Sequence, residues 1–268
     1  MKVYVNENPK EIKEGTSLFE LKDIVKKDTN IIVLNGAPIT KDRILNQDDR
    51  ITFIKKGQIP SKEELEALLV ARHTPGVHAK VKKSIVGIAG LGGLGSNVAI
   101  SLARLGIGKL ILVDFDRVEP SNLNRQQYFT RHIGMMKTKA LEELIKEINP
   151  FVKIETKDIF LDQDNLIDCF KEVEIIVEAL DNPESKANLV NTVLTKDKEK
   201  IIVAASGMAG YFSNNTIKTK KIRDNFYLIG DDFSEVQMGC GLMAPRVAIA
   251  ANHQANTVLR IILGETEV

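Results

Sequence analysis

The sequence predicts an α/β protein, a doubly wound and mostly parallel sheet preceded by a small β-grasp domain. Three observations carry that expectation. From Ser84 onward, apolar strand-like runs alternate with helical stretches, as in parallel sheets covered by helices. The first such strand runs into a glycine-rich loop, "GLGGLGS" at 90–96, that opens the first such helix. Residues 1–58 instead hold short strands around one helix, separated by turn residues.

The elements follow in order. "KVYVN" alternates as a strand, and Glu14-Gly15 marks a turn. "SLFELKDIVKK" places Leu18, Leu21, Ile24 and Val25 at helical spacing. "NIIVLNG" and "RITFIKK" are strands, with Asn35-Gly36 and Asp48-Asp49 at turns. The order is ββαββ, and the last strand runs into Gly57. Residues 59–83 are expected to be a linker helix and arm. There Ser61 and Glu64 have the spacing of a capping box, and Leu65, Leu68 and Leu69 share a face. From 84 to 268, "SIVGIAG", "KLILVD", "VKIETK", "VEIIVEALD" and "KIIVAASG" supply five strands. Helices fall in "SNVAISLARLG", in "KTKALEELIKEINP", and over 163–171 and 184–196. A long helix, "APRVAIAANHQANTVLRIILG", closes the chain.

With 268 residues, 43% hydrophobic and 27% charged, the chain suits one large domain with a small companion. Its formal net charge of +1 offers no field for nucleic acid or an anionic membrane, so neither is an expected partner. The absence of a leader-like start or a long uncharged apolar run points to a cytoplasmic protein. Cys169 and Cys240 are its two cysteines, and no Cys-x-x-Cys pair exists. A four-thiolate zinc site is therefore not expected. Cys169 lies on an expected amphipathic helix, which suits a core position.

The glycine loop contains G-x-G-x-x-G at Gly90, Gly92 and Gly95, with Gly93 between. Gly90 permits a tight turn, Gly92 a close approach of backbone to phosphate, and Gly95 close helix–strand packing. The helix N-terminus adds free N–H groups and a positive dipole end. Asp114, ending "KLILVD" about 20 positions on, suits a ribose hydroxyl. This much serves NAD(P) or ATP equally. The next segment discriminates between them. Ser121-Asn122-Leu123-Asn124-Arg125 is polar where a redox site wants an apolar slot, and Lys137 follows closely. An arginine and a lysine beside a nucleotide suit phosphates that must leave. Asp181-Asn182 ends a strand, where open parallel sheets bind ligands. A carboxylate there can hold Mg²⁺ against a triphosphate. It can also cap the helix that Pro183 begins, and one residue can do both.

In this order and spacing, "GLGGLGS", D-x-D-x-V-x-x-S-N-L-N-R-Q, G-x-x-K at 134–137 and "ALDN" resemble the ThiF/MoeB adenylyltransferases. These are bacterial relatives of ubiquitin-activating enzymes. The resemblance covers roughly residues 61–268 and implies a Rossmann-like domain whose glycine loop, Asp114, Ser121 to Arg125, Lys137, Asp181 and Asn182 bind Mg-ATP. It also implies a homodimer in which an arginine from the other subunit reaches the triphosphate, and Arg72 in "ARH" stands at that place. Residues 1–58, with their "LNGAPITKD" hairpin, resemble the ThiS sulfur carriers, which are ubiquitin-like. A working carrier ends in a free Gly-Gly carboxylate, but here Lys56-Gly57-Gln58 continues into the linker. The module is thus expected to serve docking, dimerisation or regulation rather than to be adenylylated.

The implied reaction is adenylylation of a separate ThiS-like carrier at its C-terminal glycine, for thiamine thiazole synthesis. Alternatives are a carrier for molybdopterin or cysteine synthesis, or an NAD(P)-dependent oxidoreductase. ThiF proteins of the enterobacterial kind carry two Cys-x-x-Cys pairs for zinc and a separate sulfur-transfer cysteine. This chain lacks the pairs, and Cys240 in "MGCGLMAPR" stands without partners, which leaves any role of Cys240 or Cys169 in sulfur transfer open.

Overall fold

The computed structural model describes residues 1–268, the side chains of Lys62 and Glu63 excepted. It divides into two compact units, Met1–Ala79 and Lys80–Val268.

The first unit opens on a hairpin of β1 (Lys2–Val5) and β2 (Asn8–Glu11). Its turn residues, Asn6 and Glu7, both have positive φ, 47° and 64°, the geometry that matches strand twist. Helix α1 (Leu18–Val25) follows, then β3 (Ile31–Leu34), β4 (Ala37–Ile39) and β5 (Arg50–Ile54). The sheet order is β2-β1-β5-β3-β4, with β1 and β5 parallel. The chain order is therefore ββαβββ, one strand more than the expected ββαββ, with β2 and β4 at the sheet edges. β2 reads "NPKE" and is exposed throughout, so it carries no alternation of apolar residues.

A full capping box starts α1. Ser17 accepts from the Glu20 N–H, and Glu20 accepts from the Ser17 N–H. At α2 (Lys62–Leu69) only half of the expected box forms. Ser61 accepts from the Glu64 N–H at 3.3 Å, while the Glu64 carboxylate turns to Lys26 instead. The apolar faces also differ from expectation. Leu18 and Leu21 enter the core with Val3, Ile51 and Phe53, but Ile24 is 74% exposed. On α2, Ala67 is buried while Leu69 is exposed. A short α3 (Val77–Val81) follows.

The second unit alternates β6 (Ile85–Ala89), α4 (Gly93–Leu105), β7 (Lys109–Val113), α5 (Lys137–Ile148), β8 (Lys153–Lys157) and α6 (Leu166–Cys169). Then come β9 (Ile175–Glu178), α7 (Pro183–Lys196), β10 (Ile201–Ala205), β11 (Lys218–Arg223), β12 (Phe226–Gly230) and α8 (Ala244–Leu263). The sheet order is β11-β12-β10-β9-β6-β7-β8, and only β11 runs antiparallel to its neighbour. Strands β11 and β12 are additions to the five expected. β11, "KTKKIR", is an edge strand whose lysines face water, so no apolar signal marks it. Helix α6 is four residues long, shorter than the expected 163–171. Cys169 closes it inside the core, packed in a cluster with Phe170 and Ile176, and burial pushes its thiol pKa up.

Chain order reverses between β6 and β9: from β6 the chain winds outward to β7 and β8, and then returns to β9 on the other side. Such a switch point opens a crevice at the carboxyl ends of the strands. The glycine loop leaves β6 there, and Asp181 follows β9 beside it.

Candidate functional site

The loop between β6 and α4 is held by contacts that exclude side chains. Gly90 has φ +87°, and a Cβ there would lie 2.7 Å from the Ala179 carbonyl oxygen. A Cβ on Gly95 would lie 1.9 Å from the Gly90 oxygen, so any larger residue forces the turn apart. At Gly93 a Cβ would meet Val247 Cγ1 at 2.9 Å. Gly92, the first residue to cap α4, is different. Its φ is −73°, outside the left-handed region, and a Cβ would find only Gln126 Nε2, at 3.7 Å. Packing therefore requires glycine at 90 and 95, while at 92 it leaves an open cradle.

Asp114 clamps this loop. Its Oδ2 accepts from the Leu91 N–H at 2.6 Å and its Oδ1 from the Asp116 N–H at 2.8 Å. Burial pushes its pKa up, against the pull of Lys137 and these two hydrogen bonds. Lys137 opens α5 and is 6% exposed. Its Nζ lies 2.7 Å from Asp116 Oδ2. Tyr128 ties the parts together, donating from its hydroxyl to the Leu91 oxygen at 2.8 Å. Burial, with Asp114 and Asp116 nearby, holds its pKa well above the ordinary value, so it stays a donor.

The segment Ser121 to Arg125 begins as a 3-10 turn. Asn122 Oδ1 accepts from the Glu119 N–H at 3.0 Å. Leu123 is half-buried, and Ser121 and Asn124 are exposed. Asn124 Oδ1 accepts from Arg125 Nη1 at 2.8 Å. The Arg125 stem packs on Gly93, and its Nε is buried without a partner. Asn97 on α4 donates to both the Gly93 oxygen, at 2.7 Å, and the Arg125 oxygen, at 3.3 Å. The glycine loop, Asp114, Arg125 and Lys137 thus form one connected group.

The end of β9 reaches the glycine loop two residues before Asp181, where Ala179 packs against Gly90. The helix cap falls on Asn182: its Oδ1 accepts from the N–H groups of Glu184 and Ser185, at 2.9 and 3.1 Å. Its side-chain oxygen is therefore engaged within the protein. Asp181 is exposed and makes no hydrogen bond or ion pair among the described residues. A single hard carboxylate, completed by phosphate oxygens and water, is an ordinary Mg²⁺ donor set, so the residue fits that ion. No group of three or more His, Cys, Asp and Glu capable of holding a metal comes together among the described residues. Arg72 belongs to the other unit, where it is exposed after α2.

Sequence reasoning missed Asp116, Tyr128 and Gln126. Asp116 had a signal, the D-x-D spacing after β7. Gln126 closes the same D-x-D-x-V-x-x-S-N-L-N-R-Q run without a role being read for it, and Tyr128, which lies beyond the run, had no signal. No described helix is long and apolar enough to cross a membrane.

Comparison with known proteins adds to this geometry. Residues 66–268 match the family model described as ThiF family, and residues 1–57 match ThiS-like ubiquitin. The chain is similar to molybdopterin-synthase adenylyltransferase of Haemophilus influenzae, 33% identical over 190 residues, covering 69% of this chain and 76% of that protein. It is 27% identical over 233 residues to adenylyltransferase and sulfurtransferase UBA4 of Candida glabrata, covering 84% of this chain and 52% of the relative. It is also 34% identical over 140 residues to a Haemophilus influenzae tRNA threonylcarbamoyladenosine dehydratase, covering 52% of each. The chain thus spans about half the length of these last two relatives. Among solved structures, the Escherichia coli tRNA N6-threonylcarbamoyladenosine dehydratase in complex with ATP shares the fold, with a TM-score of 0.68 and 20% identity. That match covers 78% of this chain and 98% of the other. By the match over 66–268, the chain belongs to the ThiF family.

Proposed function

We propose that this protein binds Mg-ATP in the site around Gly92 and adenylylates the C-terminal glycine carboxylate of a separate ThiS-type sulfur carrier, for thiamine thiazole synthesis. The observation that carries the reading is the open cradle at Gly92, next to Gly93 on which the Arg125 stem packs and in one hydrogen-bonded group with the buried Lys137. A glycine that packing does not demand, at a helix N-terminus, suits a phosphate group. The resemblance of residues 1–57 to ThiS supports thiamine as the destination.

In the reaction a carboxylate oxygen of the carrier attacks the α-phosphorus. The new O–P bond forms as the bond to pyrophosphate breaks. The carboxylate is already ionised at neutral pH, so no general base is required. Catalysis is then positioning and offset of charge. The α4 N-terminus and Gly92 N–H hold phosphate oxygens, and Asp114 faces the ribose. Lys137, kept in place by Asp116, and Arg125 offset the charge that grows on the leaving group. Asp181 would hold Mg²⁺, which when bound neutralises phosphate charge.

The test is to incubate the protein with labelled ATP and purified carriers, and to weigh the carriers intact. A gain of one adenylyl group on a ThiS-type carrier is expected. Labelling of no carrier would sink the proposal. A second reading, activation of a carrier for molybdopterin synthesis, draws on the 33% identity to the Haemophilus influenzae enzyme. Preferential labelling of that carrier would select it.

We further propose that the protein acts as a homodimer, with Arg72 serving the partner's site. Arg72→Ala and Asp181→Ala would each be inactive alone. Mixed and re-equilibrated, they should recover roughly a quarter of wild-type activity, because half of the dimers then hold one complete site. No recovery on mixing would place Arg72 elsewhere.

A further inference from the structure

The sheet of the first unit is covered on both faces. Its core face, with Val3, Ile32, Leu34, Ile51 and Phe53, packs on Leu18 and Leu21 of α1. The opposite face is one that an antiparallel sheet commonly leaves to water. Yet the cross-strand partners Val33 and Thr52, which point to it, are 1% and 4% exposed. The cover comes from α2 and the arm that follows it. α2 packs on β5, and Ala67, Val70 and Ala71 are buried. Val70, Ala71 and His73 line one cavity with Arg50 and Thr52. Lys26 on α1 and Glu64 on α2 pair at 3.3 Å.

Arg72 stands in the middle of this anchored stretch with its head free. A turn closes over it, the His73 N–H donating to the Val70 oxygen at 2.9 Å. Ala71 before it is buried, and the His73 ring after it has Nδ1 buried. Arg72 itself is exposed and makes no hydrogen bond or ion pair among the described residues. The seat of this turn is Gly36, between β3 and β4. A Cβ there would lie 2.7 Å from the His73 carbonyl oxygen and 3.8 Å from that of Arg72. The two-residue hairpin turn accounts for the φ of +85° at Gly36, but not for this approach. Gly15 has the same φ and nothing within 4 Å. Glycine at 36 therefore also lets the backbone of the arm rest on the β3–β4 turn.

We infer that Gly36 is a positioning residue for Arg72, and that the ThiS-like unit is the mount from which this arginine is presented. This rests on the role proposed for Arg72 above. Anchors on either side fix where the long side chain starts, and a misplacement of about 1 Å in a positioned group can cost about a hundredfold in rate.

The experiment is ATP–pyrophosphate exchange by the full chain with a purified ThiS-type carrier, comparing wild type, Gly36→Asn and Gly15→Asn. Asparagine tolerates positive φ better than most side chains, so the two variants differ chiefly in the contact that a Cβ makes at 36. Melting temperatures are recorded alongside. Gly36→Asn should lower exchange about ten- to a hundredfold, while Gly15→Asn stays near wild type. Re-equilibrated with Asp181→Ala, Gly36→Asn should recover activity as Arg72→Ala does; mixed with Arg72→Ala it should recover none. Ala71→Gly loosens the arm without touching the turn, and should show the same pattern with a smaller loss. Wild-type exchange in Gly36→Asn, a loss that Gly15→Asn shares or that merely tracks melting temperature, or recovery with Arg72→Ala overturns the inference while leaving the role of Arg72 intact. Failure of Arg72→Ala and Asp181→Ala to complement overturns both. No exchange by the wild type sinks the proposed reaction and this inference with it.

Discussion

Asp181→Ala should lower ATP–pyrophosphate exchange, measured with the carrier present, by two to three orders of magnitude. Loss of one positioned charge-stabilising contact typically costs about 2.7–4 kcal/mol of barrier. The fold should be unaffected, because Asp181 is exposed and the cap of α7 rests on Asn182. Asn182→Ala is the counterpart. It removes the acceptor for the N–H groups of Glu184 and Ser185 and should cost about 1 kcal/mol of stability. The two neighbours thus separate chemistry from capping. Near wild-type exchange in Asp181→Ala would remove this carboxylate from the mechanism.

Arg246→Ala should cost about 3–5 kcal/mol of folding stability, the range for breaking a buried ion pair by removing one partner. Arg246 Nη2 lies 2.5 Å from Asp231 Oδ2, and the two side chains are 4% and 0% exposed. Arg246 also donates to the carbonyl oxygens of Phe212 and Ser213 and to the Thr216 hydroxyl. It thereby fastens the segment between β10 and β11 to the start of α8, one residue before Val247, which packs at Gly93. Removing it leaves Asp231 charged in the interior and loosens the packing of Val247 against the glycine loop. Chemical denaturation measures the loss; a change below about 1 kcal/mol would show the pair to be of little weight.

The same pair sets an acid limit. Burial pushes the Asp231 pKa up, but hydrogen bonds from Ser234 and Phe233 and the Arg246 guanidinium outweigh it, and the net shift is downward. The folded pKa therefore lies below the unfolded value of about 3.9. The stabilisation is fully present above that value and is lost as pH falls through the folded pKa. The gap in stability between wild type and Asp231→Asn should accordingly shrink below about pH 4.

What could be read from the sequence were the features in which local pattern and tertiary role coincide. Gly90 and Gly95 announce a turn that tolerates no side chain, and Asp114 stands at a strand end that periodicity alone locates. The edge strands escaped because exposed charged residues such as those of β11 alternate with nothing apolar. The Arg246–Asp231 pair escaped for another reason. Its partners lie 15 residues apart across a non-repeating segment, and only the return of α8 onto the sheet brings them together. At Asp181-Asn182 the sequence offered two carboxyl-end residues and two roles, and only geometry gave the cap to Asn182. Gln126 closes a motif that was read, but its burial is a property of the folded turn, and nothing in the letter Q reports it.

The Asp114 clamp has a consequence for the rate at which a ligand is captured. Both oxygens of this one carboxylate are occupied by backbone N–H groups of the loop it borders and of the segment that follows. The conformational entropy of the glycine turn is therefore surrendered when the chain folds, not when a nucleotide arrives. Capture then needs no loop to close first, and its speed is set by diffusion and by the orientation of the incoming phosphates.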